Sequence, residues 1–236
     1  MKLVEVCSDI WAATQPLKFF GLEVGSRMTL VRLPSGDLVI ISPIELKDSD
    51  RDQIEDLGSV RYIIAPNRFH HMSVESISNI FPDAEIIGVP GLQEKQPHIR
   101  FSQFLEHDGD FESVLHYLPV QGFATLIPPS IQEANEVVFW HQPSGTLIMT
   151  DTAFNFDENS DRILQALTKL TGSYKLLRPT FLEKLGTRDK SQVKQSIQQA
   201  LKWEFDRVIP GHGSIVDTGG KEQLIQGYEW FLGTSL

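Results

Sequence analysis

Residues that can bind a metal follow three predicted strands of this sequence. His70 and His71 come after the apolar run Tyr-Ile-Ile-Ala and a Pro-Asn break, Asp151 comes after Thr-Leu-Ile-Met-Thr, and His212 lies in a Pro-Gly-His-Gly segment. Open α/β sheets build their sites just past the C-terminal ends of their strands, so we expect these side chains at one edge. Three imidazoles and a carboxylate are ligands that zinc and iron accept. The sequence therefore predicts a shared site for a divalent metal.

Each of these residues also has a simpler interpretation. An adjacent histidine pair taken alone is more typical of a solvated loop than of a ligand set. Asp151 alone fits a cap of the following turn, and the Pro-Gly before His212 fits an ordinary turn after a strand. The conjunction of all three features at strand ends favours the shared site.

Other polar residues are interpreted structurally. Glu133 and Glu136 offer carboxylates near the predicted metal, but a solvated loop is the favoured interpretation. His141 is expected at an exposed hairpin tip without a function. Residues 178–184 are expected to form a surface loop. The alternative is that this loop covers the site, where its cations would favour an anionic substrate.

Composition and charge indicate one globular domain over residues 1–236. An apolar share of 41% and a charged share of 22% are typical of a chain with a buried core. The net charge of −10 argues against binding to nucleic acid or to an anionic membrane. The single cysteine, Cys7, excludes an internal disulfide and suits a reducing compartment. No apolar run resembles a signal peptide or approaches the roughly 18 residues of a spanning helix, so a cytoplasmic location is expected.

Hydrophobic patterning predicts strands followed by helices, twice along the chain. The predicted strands are 10–14, 28–33, 38–42, 62–65, 85–89, 113–119, 136–141, 146–150 and 207–209. The predicted helices are 46–57, 73–81, 162–170, 190–203 and 222–231. No linker separates the two series, so they are expected to form two α/β halves of one domain.

This order of elements and residues resembles the metallo-β-lactamase fold superfamily. The shared features are a strand, a metal motif and a helix, then a hairpin that ends in a lone Asp, then a helix, a strand and Pro-Gly-His-Gly. The resemblance implies an α/β fold, an αββα sandwich of two mixed sheets flanked by helices. More narrowly, the chain resembles a divergent branch in which Pro-Asn-x-x-His-His replaces the usual His-x-His-x-Asp-His.

The usual motif, aligned on this chain, falls on residues 66–71. Pro66 and Arg68 take the places of the first two histidines, and neither side chain binds a metal. His70 takes the place of the Asp, and His71 keeps the closing histidine. The resemblance therefore implies that the first metal site is lost.

The other positions of the resemblance are partly kept. Gln132 or Glu133 occupies the place of the third histidine of the first site, and Ser42 replaces the Asp that ends the early strand. Asp151 and His212 keep the bridging Asp and the final His.

The resemblance implies one metal, zinc with iron as the alternative, bound by four candidate ligands that are His70, His71, Asp151 and His212. Asp151 would also orient the attacking water, and the positive charge of Arg68 would replace part of the first metal's effect on an anionic substrate.

Two functions remain open at this point. The first is a metal-dependent hydrolase of a small ester, thioester, lactone or phosphoester. The second is a non-catalytic protein of the same fold that binds a ligand or partner. Loss of the usual ligands favours the second, and the alternative set of four favours the first, which we prefer.

Overall fold

The strands of the structure fall into two large sheets and two hairpins. The computed structural model describes residues 1–236 apart from the side chain of Asp48. In chain order, the strands are Val4–Cys7 (β1), Ile10–Gln15 (β2), Lys18–Phe19 (β3), Leu22–Glu23 (β4), Ser26–Arg32 (β5), Asp37–Ile41 (β6), Ser59–Ile64 (β7), Glu85–Gly88 (β8), Gln103–Phe104 (β9), Gly109–Phe111 (β10), Leu115–Pro119 (β11), Ala124–Ile127 (β12), Ser130–Glu133 (β13), Val137–His141 (β14), Thr146–Ile148 (β15) and Arg207–Ile209 (β16).

The first sheet has the order β1-β2-β5-β6-β7-β8-β9, and the second has the order β10-β11-β14-β15-β16. Strands β3 with β4 and β12 with β13 form the two hairpins. Both sheets are mixed, because β6, β7, β8 and β9 run parallel in the first sheet and β15 runs parallel to β16 in the second.

Helices pack on each of the two large sheets. They are Asp48–Glu55 (α1), Val74–Ile80 (α2), Leu92–Lys95 (α3), Arg162–Leu170 (α4), Phe181–Gly186 (α5), Lys190–Ala200 (α6) and Gly220–Leu232 (α7). Helices α1 and α2 pack on β7 of the first sheet, whereas α6 contacts β11 and α7 contacts β16 of the second. The layers therefore run helix, sheet, sheet, helix. None of the helices in the described chain combines the length and apolar character needed to span a bilayer.

Alternate residues of the central strands belong to different parts of the core. Val137 and Phe139 of β14 pack in the cluster that the two sheets share, whereas Val138 packs with the residues of α6 and α7. Ile148 and Leu147 of β15 divide in the same way. Because successive strand side chains point to opposite faces, this sheet is buried on both sides.

Parallel pairing places the candidate site at one edge. β6 pairs with β7 up to Ile41 and Ile64, and β15 pairs with β16 up to Ile148 and Ile209. The loops that carry Asp151 and His212 therefore begin side by side, at the C-terminal ends of β15 and β16. The loop that carries His70 leaves the C-terminal end of β7 in the other sheet, and its side chain meets the other two in one cluster.

Three expectations about local structure are wrong. Glu136 is fully buried rather than part of a solvated loop, and His141 is 2% exposed, with Nδ1 2.8 Å from Ser144 Oγ. The expected loop 178–184 instead contains the start of α5, because Thr180 and Glu183 form a capping box that begins a helix.

Candidate metal centre

The structure brings together the side chains of His70, Asp151 and His212. The two Nε2 atoms lie 3.1 Å apart, and Asp151 Oδ1 lies 3.3 Å from His70 Nε2 and 3.1 Å from His212 Nε2. In the described part of the chain, these residues form the group whose ligand atoms all lie within 4.8 Å of one another. Both histidines are buried, and Asp151 is half-buried.

Ser42 determines which nitrogen of His70 carries its proton. Ser42 Oγ donates to the carbonyl of Arg27 at 2.8 Å and lies 2.7 Å from His70 Nδ1. Since the hydroxyl proton is used on Arg27, the bond to the ring requires His70 Nδ1–H to donate to Ser42 Oγ. The Nε2 atom of neutral His70 therefore presents a lone pair to the cluster.

The backbone of Gly25 determines the proton on His212 in the same way. His212 Nδ1 lies 2.5 Å from the Gly25 carbonyl, which can only accept, so Nδ1–H is the donor. When both rings are neutral, two Nε2 lone pairs and Asp151 Oδ1 thus converge without a proton between them. Such a set of acceptors repels unless a cation is shared, so these residues fit a divalent metal.

Asn67 holds the loop of His70 and the carboxylate of Asp151 together. Its Oδ1 accepts the backbone N–H groups of Phe69 and His70 at 2.7 and 2.8 Å. Its Nδ2 donates to Asp151 Oδ2 at 2.7 Å and to Glu136 Oε2 at 3.0 Å. One fully buried amide therefore orients a ligand from each half of the chain.

Glu136 organises the loop that carries Asp151. Its carboxylate accepts the backbone N–H groups of Thr150, Asp151 and Thr152 at 2.8, 2.6 and 3.1 Å, and the hydroxyl of Thr152 at 2.5 Å. A buried carboxylate needs several donors of this kind. Glu136 thus acts through the loop backbone and is not a member of the cluster.

The His212 loop is held from the first sheet. Arg27 of β5 donates through Nη1 to the carbonyl of Pro210 and through Nη2 to that of Gly213, at 2.5 Å for the second bond. A Cβ at Gly211 would lie 3.0 Å from Thr150 Cα and 3.2 Å from His70 Cε1. Glycine at this position therefore allows the close approach of the two loops.

Burial and charge shift the pKa values of the cluster in opposite directions. Burial lowers the pKa of His70, but the charge of Asp151 and its hydrogen bond raise it more, so the net pKa lies above its usual value. Burial raises the pKa of Asp151, but the charges and hydrogen bonds of His70 and His212 outweigh burial, and the net pKa lies well below its usual range. Asp151 is therefore an anion, and a proton on His70 competes with a metal.

His71 is buried but lies outside the three-residue cluster. The chain turns towards α2 here, since Val74 N–H donates to the carbonyl of His71 at 3.1 Å. Burial, with a smaller effect from the charge of Lys95, lowers the pKa of His71 to about 4 and keeps the ring neutral. The structure thus brings together three of the four predicted ligands, and His71 as a fourth ligand stays a prediction.

The residues at the first-site positions are not members of the three-residue cluster. Gln132 and Glu133 are on β13, which pairs with β12, and Glu133 is exposed. Pro66 accepts the backbone N–H of Val137 at 2.8 Å, and Arg68 N–H donates to Ala134 O at 2.9 Å. Backbone bonds therefore fix this loop against the second sheet.

Sequence reasoning missed Arg27 and Asn67, and it considered Glu136 as a carboxylate near the metal but favoured a solvated loop. Asn67 lies inside the Pro-Asn-x-x-His-His segment and was interpreted only as a break between strand and loop. Arg27 is an isolated polar residue in an apolar strand, and no spacing marks it. The burial of Glu136 depends on hydrogen bonds to a distant loop, which its sequence neighbours do not indicate.

Comparisons of sequence give limited information. A family model described as a domain of unknown function (DUF4336) matches residues 8–95, a range that includes His70 and His71 but ends before Asp151. A comparison with curated protein sequences gives no match.

Comparisons of structure are more informative. A metallo-β-lactamase from Pontibacter korlensis is similar with a TM-score of 0.66 and 13% identity, over 97% of this chain and 98% of that chain. The metallo-β-lactamase FIM-1 from Pseudomonas aeruginosa, in its mono-zinc form, has a TM-score of 0.62 and 12% identity over 98% and 96% of the two chains. The metal-soaked Flv1 flavodiiron core from Synechocystis sp. PCC6803 has a TM-score of 0.65 and 14% identity over 98% and 60%. At these identities the likeness establishes architecture, and the chain has the metallo-β-lactamase fold.

Proposed function

We propose that this protein is a metal-dependent hydrolase with one divalent metal, zinc with iron as the alternative, held by His70, Asp151 and His212. The observation that carries the proposal is the convergence of three acceptors. The two Nε2 atoms and Asp151 Oδ1 lie 3.1 to 3.3 Å apart, and both Nδ1–H groups are used elsewhere. Three protein ligands leave a coordination position open, which is typical of catalytic rather than structural zinc sites.

The metal and the surrounding residues have different roles in the proposed hydrolysis. A divalent metal supplies water activation near neutral pH and polarises a carbonyl or phosphoryl oxygen. Asp151, a ligand through Oδ1, would also orient the attacking water, while Asn67 Nδ2 holds Oδ2 in place. Ser42 and the Gly25 carbonyl keep the two imidazoles in the tautomer that leaves Nε2 free.

One metal rather than two is proposed because Pro66 and Arg68 stand where the resemblance expects first-site histidines. The structural likeness to the mono-zinc form of FIM-1 supports a one-metal arrangement in this fold. The proposed substrate is a small ester, thioester, lactone or phosphoester, and not a nucleic acid or membrane. The single Cys7 supports a reducing, cytoplasmic location.

An activity screen tests the proposal. Zinc-loaded and iron-loaded protein is assayed with four chromogenic substrates, one each of an ester, a thioester, a lactone and a phosphodiester. The variant Asp151→Asn and the control His98→Ala are assayed in the same way. His98 is exposed and pairs with Glu75, so its removal leaves the site intact. We expect turnover of one class, reduced about 100-fold or more in Asp151→Asn and unchanged in His98→Ala.

The second candidate is a non-catalytic binding protein, which the replacement of metal ligands by Pro66 and Arg68 favours. Metal-loaded protein that turns over none of the four classes would contradict the hydrolase and support this alternative.

A further inference from the structure

The guanidinium of Arg68 has no protein partner in the described part of the chain. Its Nε is buried without a hydrogen-bond acceptor. The terminal nitrogens are not among the buried unpaired atoms, and no carboxylate of the described residues lies within 4.0 Å of them. These nitrogens therefore reach solvent with their donors free. A planar fork of free N–H donors matches the oxygens of a carboxylate or phosphate.

Gly91 determines where this guanidinium lies. A Cβ at Gly91, whose φ is +83°, would lie 3.2 Å from Arg68 Nε and 3.4 Å from Arg68 Cζ. Gly91 follows β8, and β8 runs parallel to β7, whose C-terminal end leads into the loop of Arg68 and His70. The guanidinium is thus at the same sheet edge as the candidate metal centre.

Lys95 adds a second positive charge. Lys95 Nζ donates to the carbonyl of Arg68 at 2.7 Å and lies 5.2 Å from the centre of the Phe69 ring. Burial, and then the charge of Arg68, lower the pKa of Lys95. Neither Arg68 nor Lys95 has a carboxylate partner among the described side chains, so the two cations repel each other, and a bound anion would relieve this repulsion.

We propose that Arg68 and Lys95 form a binding site for an anionic oxygen group, a carboxylate or a phosphate, carried by the substrate beside its scissile bond. The role in substrate recognition rests on the proposed hydrolase function, whereas anion binding itself does not. The proposal makes Arg68 a residue that determines specificity.

Binding of inorganic phosphate, measured by calorimetry at low ionic strength, tests the proposal with chelator-treated and zinc-loaded protein. The variants are Arg68→Gln, Lys95→Gln and Gly91→Ala, and Arg51→Gln is the matched control on α1, where Arg51 pairs with Glu55. We expect affinity to fall about tenfold in Arg68→Gln and about threefold in Lys95→Gln, with no change in Arg51→Gln. Gly91→Ala should weaken binding without removing a charge, because it displaces the guanidinium.

The outcomes separate this proposal from the metal site. Phosphate binding to chelator-treated protein that depends on Arg68 supports the anion site even if no metal is ever found. Binding that needs zinc and is unaffected by Arg68→Gln, or no saturable binding at all, overturns it. Lys95 is exposed, so Lys95→Gln keeps the test decisive if Arg68→Gln fails to fold. Acetate as a competitor then assigns the class: displacement supports a carboxylate, and no displacement supports a phosphate.

Discussion

Ser42 acts on the candidate metal centre through a single proton. The Ser42 hydroxyl donates its proton to the Arg27 carbonyl, so in its hydrogen bond with the ring it can only accept, and His70 Nδ1–H is the donor. This leaves His70 Nε2 without a proton in the neutral ring. Partners that fix the tautomer of a ligating histidine contribute strongly to metal affinity. The Ser42 hydroxyl is therefore expected to strengthen metal binding, although the resemblance expects a carboxylate at this position.

Ser42→Ala is expected to weaken zinc binding about tenfold or more, because the tautomer of His70 is no longer fixed. Competition with a chromogenic chelator measures the affinity. Ser78→Ala is the matched control, since the Ser78 hydroxyl donates only to its own helix at Glu75 O. Equal zinc affinity in Ser42→Ala and wild type would contradict the assigned role.

Zinc binding is expected to weaken as pH falls. The charge of Asp151 raises the net pKa of His70 against the opposing effect of burial, so a proton occupies Nε2 below that raised value and must leave when zinc binds. In metal-free protein the protonated pair stabilises the fold below the unfolded pKa of about 6.5, and this contribution is lost as pH rises through the folded value.

The difference in Tm between zinc-loaded and metal-free protein should therefore grow from about pH 5.5 to about pH 8.5. Exposed His98, replaced in His98→Gln, should leave this dependence unchanged. A difference that is constant, or larger at low pH, would contradict the competition between proton and metal.

At the residue scale, the sequence predicted the ligand candidates better than the residues that position them. His70, Asp151 and His212 follow strand ends, and parallel pairing of β15 with β16 makes the last two neighbours, whereas His70 reaches them from the other sheet. Asn67 and Glu136 act through hydrogen bonds between segments about 70 to 85 residues apart. Only the folded arrangement shows such partners.

The loop after β15 depends on one buried carboxylate. Glu136 immediately precedes β14 and accepts three consecutive backbone N–H groups of that loop. Glu136→Gln replaces an acceptor oxygen with a donor that faces these N–H groups. We expect the free energy of unfolding to fall by about 3 kcal/mol in metal-free protein, measured by urea denaturation.

The matched control for this variant is Glu133→Gln, because Glu133 is exposed on the neighbouring β13. Its unfolding midpoint should equal that of wild type. Similar losses in both variants would show that the buried hydrogen bonds of Glu136 do not stabilise the loop as argued.

At the element scale, long periodic segments were predicted well and short ones were missed. The bounds of α4 agree with the predicted helix 162–170, and α6 begins at the predicted residue 190. The hairpins β3–β4 and β12–β13 have strands of two to four residues, too short for alternation to mark them. Helix α5 depends on its capping box and on the hydrogen bond from Thr125 to buried Glu183, a tertiary contact.

The outer helix layer is joined to the candidate site through Tyr228. This fully buried residue of α7 donates from its hydroxyl to the carbonyl of Thr152 at 2.8 Å, next to Asp151. Tyr228→Phe is expected to lower the free energy of unfolding by about 1 kcal/mol, because the carbonyl loses its donor. Urea denaturation measures the change, and Tyr174→Phe on a half-buried tyrosine is the control. An unchanged midpoint in Tyr228→Phe would contradict this coupling.

At the scale of the whole molecule, the site needs both halves of the chain. His70 comes from the first sheet, and Asp151 and His212 come from the second. Arg27 of the first sheet holds the loop of the second-sheet residue His212. The predicted helix–sheet–sheet–helix order is confirmed. The hydrogen bonds of Arg27 and Asn67 that join the two halves could be identified only from the structure.

Metal content tests the central claim most directly. Protein purified without added metal or chelator is analysed for zinc and iron, beside Asp151→Ala, His212→Ala, His71→Ala and the control His98→Ala. We predict about one metal per chain in wild type and His98→Ala, and its loss in Asp151→Ala and His212→Ala. Loss in His71→Ala as well would add His71 as the fourth ligand. Absence of metal in wild type, even after incubation with zinc, would contradict the account.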